Sequence, residues 1–207
     1  ADRAATRPTV LACLAATFTS LLLYTVWMTA GAGLPDLART AGLAGTILLG
    51  EVVDLTEASR SYFGDSDECH LSYNFELMAE MLYALRLGGE RERLAAVVAA
   101  ANELPPQASW MAFLRNHDSV SLQTLGDARA ATLLQAFDPK QQYRFARGTE
   151  TAQRLWNLLG EDEALVREAF AMLYTFPSAT VLYYGDEIGM GNAPLPDGED
   201  DMRAVIR

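Results

Sequence analysis

The sequence predicts an α/β protein built on a parallel sheet. Short apolar runs typical of strands alternate along the chain with segments that repeat apolar residues at helical spacing, in the order strand, helix, strand, helix, strand, helix, strand. Such alternation favours parallel strands joined by helical crossovers. The chain has 207 residues, of which 50% are hydrophobic, and this is enough apolar material for one sizeable core.

Four segments carry the pattern of strands. The first is a glycine-bounded apolar run, which is typical of a strand buried on both faces. The second alternates apolar and polar residues, and the last two are apolar runs that end abruptly in polar residues or glycine. The predicted strands are 45–54, 71–75, 111–114 and 179–184.

The segments between these strands are predicted to be helical. Residues 76–87 and 161–174 have the clearest amphipathic spacing, and a proline follows the second of them. Residues 90–102 and 128–136 are the other two predicted helices. The polar residues 137–150 are the hardest part of the chain to predict.

Charge and cysteine content exclude several classes of function. Sixteen basic and 27 acidic residues give a net charge of -11, which repels nucleic acid and anionic membrane surfaces. Cys13 and Cys69 have no metal-ligand spacing and cannot form a disulfide framework. A metal site at His70 is not expected, because the one other histidine of the sequence is distant from it. We therefore expect no metal, no cofactor and no nucleic-acid partner.

Residues 9–34 are apolar and carry no charged side chain. A run of this length can span a bilayer, and Arg3 and Arg7 precede it as in a signal or anchor segment. Five threonines and one serine within the run favour the alternative, a buried helix of a larger domain. We expect a cytoplasmic protein, with a signal or membrane segment at 9–34 as the alternative and the only route to membrane contact.

Carboxylates follow three of the predicted strands. Glu51 ends the first strand, Asp118 follows the third and Asp186 follows the last. Because the ends of parallel strands meet on one face of a sheet, a shared site is the leading hypothesis. The alternative is a packed polar cluster at residues 115–118, in which Asp118 and His117 cap the next helix.

Four stretches, in this order, resemble the alpha-amylase family of glycoside hydrolases, family 13. They are TILLGEV (46–52), YFGDSDECHLSYNFELM (62–78), FLRNHDSVSL (113–122) and VLYYGDEIGMGNAPLPDGE (181–199). The second is particularly similar to the trehalose synthase and alpha-glucosidase branch. The resemblance implies a partial (β/α)8 barrel, in which this chain supplies strands five to eight with their helices.

The resemblance also implies roles for five residues. Glu51 matches the general acid/base of the family, and Asp118 matches the third carboxylate, which stabilises the transition state. His117 matches the histidine that binds sugar hydroxyls, and Asn116 and Tyr184 are expected to bind substrate beside it. Cleavage through an oxocarbenium-like state requires a proton donor and nearby negative charge, so these residue types suit it.

The sequence departs from the family at the nucleophile. The family carries that aspartate in a Gly-x-Arg-x-Asp-Ala context, whereas residues 1–45 contain only Asp2 and Asp36, neither in that context. We interpret 1–45 as a diverged or foreign apolar helical segment and 46–207 as the C-terminal half of the catalytic barrel. The expected function is that of a fragment of a retaining hydrolase or transglycosidase acting on α-glucosidic bonds, inactive alone.

Two questions stay open on the sequence alone. The alternative function is a non-catalytic remnant that binds small glucosides or pairs with a partner chain. A half barrel also has open edges, which are liabilities unless covered. We therefore expect either that residues 9–34 pack on the exposed sheet or that the chain forms a homodimer.

Overall fold

The computed structural model describes residues 47–195 and 202–206. These residues form seven strands, of which four are parallel and belong to the main sheet. The strands are β1 (Leu49–Gly50), β2 (Leu71–Tyr73), β3 (Ser109–Phe113), β4 (Val120–Ser121), β5 (Arg144–Phe145), β6 (Glu150–Thr151) and β7 (Ala179–Val181).

The main sheet has the strand order β1-β2-β3-β7, and every neighbouring pair is parallel. The order follows the chain, so each connection returns to the next position along the sheet. The predicted α/β architecture with a parallel sheet is confirmed. This order also places the carboxyl ends of β1 and β3 on one edge, where Glu51 and residues 115–118 leave the sheet.

Six α-helices occur among the described residues, and the four long ones match the predicted segments to within two residues at each end. A short 3-10 turn, Arg60–Phe63, follows the first of the six. The helices are α1 (Thr56–Ser59), α2 (Phe75–Leu87), α3 (Arg91–Ala101), α4 (Asp127–Phe137), α5 (Leu155–Leu158) and α6 (Glu163–Thr175).

The core forms where α2 packs on the sheet. The helix buries the apolar residues that its periodicity selects: Leu77, Met78, Met81, Leu82 and Leu85. The ring of Phe113, at the end of β3, lies edge-on to Tyr73 at 5.0 Å and to Phe75 at 5.1 Å. Aromatic pairs in this geometry add to the free energy of burial. They fix the end of β3 against the start of α2, directly below the polar residues.

The first strand is shorter than predicted. Residues 45–54 were expected to be a buried strand, but within the described residues only Leu49–Gly50 pairs with a neighbour. Val53 and Leu55 are 38% and 47% exposed, so no second layer formed by residues 47–195 or 202–206 covers them. The backbone leaves the sheet because side chains bind its next amides: Asp54 accepts from the Leu55 N–H and Glu76 from the Thr56 N–H.

Residues 137–150 contain structure that periodicity does not reveal. Strands β5 and β6 form a hairpin, and β6 pairs antiparallel with β4 to give a second sheet of order β4-β6-β5. Each strand has only two residues, too few for a recognisable alternation. The small sheet brings Glu150 beside Ser121, next to the end of β3.

Residues 9–34, for which a buried helix or an anchor was predicted, lie outside the described residues. Within 47–195 and 202–206, no helix is both long enough and apolar enough to cross a bilayer.

Candidate functional site

A cleft of about 240 Å³ opens where β1 and β3 end. Two of the predicted catalytic residues and one predicted substrate-binding residue line it, so the structure brings Glu51, Asn116 and Asp118 together. The lining residues are Glu51, Val53, Phe75, Asn116, Asp118, Ser119, Ser121 and Glu150.

Asn116 links the carboxylate of Glu51 to the backbone of Asp118. Its side-chain Nδ2 donates a hydrogen bond to Glu51 Oε1 at 3.3 Å, and its Oδ1 accepts one from the Asp118 N–H at 3.0 Å. Glu51 is exposed, whereas Asn116 is only 7% exposed. A buried amide with both ends bonded has one orientation, so it sets the position of Glu51 relative to the Asp118 backbone.

A tight turn holds Asp118. Its Oδ1 accepts a hydrogen bond from the Ser119 N–H at 3.1 Å, and its carbonyl accepts one from Arg115 Nη2 at 2.7 Å. The next element is strand β4, and the next long helix begins only at Asp127. The alternative that Asp118 and His117 cap the following helix is therefore wrong. The carboxylate caps its own turn.

Arg115 is a buried cation beneath this turn. Besides the Asp118 carbonyl, its guanidinium donates to the carbonyl of Gln153 and lies 5.6 Å from the ring centre of Tyr183. Burial lowers the pKa of Arg115 to about 10, so the side chain stays charged at neutral pH. These two bonds tie the Asp118 turn to the segment at Gln153.

Asp186 does not join the cleft. It is 3% exposed, and its Oδ1 lies 3.8 Å from Arg154 Nη1. Burial raises the pKa of Asp186 to about 6, although the guanidinium groups of Arg115 and Arg154 oppose the shift. Asp186 and Glu187 line a different cavity, of about 490 Å³, beside α6. The predicted shared site therefore holds the carboxylates after β1 and β3, but not those after β7.

His117 and Tyr184 are not among the residues that line the cleft. His117 is exposed. Tyr184 is 55% exposed, and its ring lies over the guanidinium of Arg154, 4.7 Å from its centre. Their predicted role in sugar binding remains a prediction.

Three polar lining residues were not predicted from the sequence: Ser119, Ser121 and Glu150. Ser119 and Ser121 follow Asp118 at alternate positions, and this spacing could have indicated one shared face. Glu150 lies 32 residues beyond Asp118 in the polar segment, and no sequence pattern connects the two.

A larger cavity lies elsewhere. It has a volume of about 660 Å³, opens beside α4, and is lined by residues that include Gln123, Asp127 and Arg144. Neither of the predicted catalytic carboxylates lines it, and Asp127 is the one acidic residue that the described part of the chain contributes to its wall. We assign the candidate site to the smaller cleft because paired carboxylates, not volume, carry the chemistry.

No metal centre is apparent in the described part of the chain, which has no group of three or more His, Cys, Asp or Glu side chains suited to one. The imidazole Nδ1 of His70 accepts a hydrogen bond from the Leu48 N–H at 3.1 Å, so His70 ties the start of β1 to β2.

Comparisons with known proteins agree with this fold. No protein-family model matches the chain. It is 36% identical over 163 residues to trehalose synthase of Thermus thermophilus, an alignment that covers 79% of this chain and 17% of the relative. It is 33% identical over 169 residues to trehalose synthase/amylase TreS of Mycobacterium tuberculosis, covering 79% of this chain and 27% of the relative.

A solved structure shares the fold. The crystal structure of sucrose 6F-phosphate phosphorylase from Thermoanaerobacter thermosaccharolyticum superposes with a TM-score of 0.58 and 20% identity, over 76% of this chain and 34% of that one. The alignments with the two trehalose synthases cover 17% and 27% of those proteins, so the chain spans less than a third of the length of either. Four motifs in order, two relatives above 30% identity and a shared fold point the same way. The chain belongs to the alpha-amylase family of glycoside hydrolases, family 13.

Proposed function

We propose that residues 46–207 form the C-terminal half of an alpha-amylase-type catalytic barrel that recognises α-glucosides. In this proposal β1, β2, β3 and β7 are barrel strands five to eight. Their parallel order along the chain and the helices between them support it. So does the similarity to trehalose synthases, whose aligned part covers 79% of this chain.

The observation that carries the proposal is that Glu51 and Asp118 line one cleft and are joined through Asn116. In the proposed mechanism Glu51 donates a proton to the oxygen of the leaving group. Asp118 accepts hydrogen bonds from ring hydroxyls and supplies negative charge to the oxocarbenium-like transition state. Carboxylates accept such bonds at both oxygens, which suits two adjacent hydroxyls.

A retaining reaction also needs a nucleophile ~5–5.5 Å from the proton donor. The 207 residues contain no Gly-x-Arg-x-Asp-Ala stretch, the context in which the family carries that aspartate. We therefore assign to this chain substrate recognition and proton transfer, and not formation of the glycosyl-enzyme bond. Hydrolysis, isomerisation and transfer all involve substrate recognition and proton transfer, so all three reactions are compatible with this assignment.

The missing nucleophile context also favours a second candidate function, a non-catalytic unit that binds glucosides or completes its sheet with a partner chain. Turnover separates the two. The first candidate and the glucoside-binding form of the second require the cleft to bind an α-glucoside, and only the first requires proton transfer from Glu51.

The test measures maltose binding by calorimetry and turnover of an aryl α-glucoside with the 207-residue chain. We expect Glu51→Gln and Asp118→Asn each to weaken binding about tenfold or more, because hydrogen bonds to a charged group contribute about 1.5–3 kcal/mol. Glu163→Gln is the matched control, since Glu163 is exposed on α6 and remote from the cleft.

Turnover that Glu51→Gln abolishes supports the catalytic function and contradicts the second candidate. Binding without turnover is expected of a chain without the nucleophile context and agrees with either candidate. No maltose binding by the unmodified chain at millimolar concentration would contradict the first candidate and the glucoside-binding form of the second.

A further inference from the structure

The buried hydroxyl of Ser121 indicates a ligand-binding position in the cleft. The residue is 4% exposed and lines the cleft, and its Oγ has no hydrogen-bond partner among the described residues. Leaving a buried polar group unpaired costs about 1–3 kcal/mol. A serine hydroxyl both donates and accepts, so a ligand hydroxyl placed in the cleft can satisfy it in either direction.

Glu150 lies directly opposite Ser121. The two residues are register partners in the antiparallel β4–β6 pair, and cross-strand partners project from the same face of a sheet with Cβ atoms about 4.5–5.5 Å apart. Both line the cleft. The hydroxyl and the carboxylate therefore present a donor-acceptor pair to the same space.

Glu150 is held in place from the Asp118 turn. Ser119 Oγ donates a hydrogen bond to Glu150 Oε2, while the Ser119 N–H donates to Asp118 Oδ1. One residue thus orients both carboxylates. An ionised carboxylate has about four acceptor positions, so the bond from Ser119 leaves Glu150 able to accept from a ligand as well.

From these contacts we propose that Ser121 and Glu150 form a second hydroxyl-binding position of the cleft, in addition to the one at Glu51 and Asp118. This inference rests on the proposed function and names residues that the family resemblance does not supply. Glu150 accepts a hydrogen bond from a ring hydroxyl of the saccharide, and Ser121 bonds the same or the adjacent hydroxyl.

The lining of the cleft defines the class of ligand. Three carboxylates repel anions, whereas the ring of Phe75 and the side chain of Val53 offer apolar surface to the C–H faces of a sugar. The ligand is therefore a neutral saccharide. A phosphorylated sugar should bind far less tightly, because its charge meets Glu51, Asp118 and Glu150.

The experiment compares maltose binding by the 207-residue chain and by its Ser121→Ala and Glu150→Gln variants. We expect each variant to weaken binding about five- to twentyfold. Glu150→Gln keeps a side-chain oxygen that can accept the hydrogen bond from Ser119. Any loss of maltose affinity in this variant therefore measures the contribution of the carboxylate charge. The matched control is Ser178→Ala, because Ser178 also has an unpaired hydroxyl but lines a different cavity beside Trp110. This control should bind maltose as the unmodified chain does.

A thermal melt distinguishes a ligand role from a structural one. Since the Ser121 hydroxyl has no partner among the described residues, Ser121→Ala should leave the unfolding temperature unchanged or raise it. If a variant fails to fold, amide chemical shifts of the unmodified chain decide: maltose should move the signals of Ser121 and Glu150.

Each result has a distinct meaning. If the unmodified chain binds maltose and both variants bind equally well, the inference is wrong and the proposed function stands. If the unmodified chain binds no saccharide, the proposed function fails and this inference fails with it. Glucose 6-phosphate binding as tightly as maltose would overturn the assignment of a neutral ligand.

Discussion

Two buried arginines interact electrostatically with one buried carboxylate, that of Asp186. Arg115 and Arg154 are both almost fully buried, and both favour the ionised form of Asp186. Yet burial raises the pKa of Asp186 to about 6, because the loss of hydration outweighs two guanidinium groups. Arg154 also donates to the Tyr184 carbonyl at 2.6 Å, so the network ties the end of β7 to α5. Its charge balance should therefore affect stability.

The pH dependence of unfolding tests whether the pKa of Asp186 is raised. The pKa of Asp186 is raised from an ordinary 3.8 to about 6 in the folded protein, so the folded state binds this proton more tightly than the unfolded state. The resulting stabilisation is complete below pH 4 and is lost as the pH rises through 6. The loss is on the order of 2–3 kcal/mol.

Urea unfolding between pH 4 and 7 measures the effect. We expect the pH dependence of the free energy of unfolding of Asp186→Asn to lack this component, while Glu92→Gln, a variant at an exposed residue of α3, keeps it. Equal pH profiles for Asp186→Asn and the unmodified chain would show that Asp186 titrates normally.

At the scale of secondary-structure elements, a single residue connects β2 to α2. Asn74 Oδ1 accepts hydrogen bonds from the Leu77 N–H at 2.9 Å and from Thr56 Oγ1 at 3.1 Å. The side chain thus caps α2 and anchors the start of α1 to it. Because α2 supplies much of the core, this cap positions Phe75 beneath the cleft.

We expect Asn74→Ala to lower the free energy of unfolding by about 2 kcal/mol or more. The substitution removes the cap, which contributes about 1 kcal/mol, and leaves the buried Thr56 hydroxyl without its acceptor. Asp162→Ala is the matched control: Asp162 caps α6 through the Ala164 and Leu165 amides but is exposed. It should lower the free energy by only about 1 kcal/mol. Equal losses in denaturant unfolding would contradict the second role of Asn74.

The sequence predicts the long secondary-structure elements but not the shortest ones. In α2 and α6 the apolar residues recur over three turns, and the structure buries Met78, Met81 and Val166 as that period requires. Strands β5 and β6 have two residues each, so alternation cannot reveal them. The first strand was predicted too long because local composition does not show that Asp54 and Glu76 bind the backbone of residues 55 and 56.

At the scale of the whole molecule, the chain presents an ordered row of parallel strands whose ends hold the candidate site. The placement of Glu51, Asn116 and Asp118 in one cleft was predictable, because parallel strands bring their ends to one edge. The contribution of Ser121 and Glu150 was not, since only the β4–β6 pairing joins segments that lie far apart in sequence. Cover of the sheet edges by residues 9–34 or by a second copy stays a prediction.

Recognition of an α-glucoside at this edge of the sheet can be measured through the amide chemical shifts of the 207-residue chain during titration with maltose. We expect shifts that saturate and cluster at residues 51, 116–119, 121 and 150, with residues 163–175 of α6 unmoved. Saturating shifts confined to the cavity beside α4, or none at any maltose concentration, would contradict recognition at this edge.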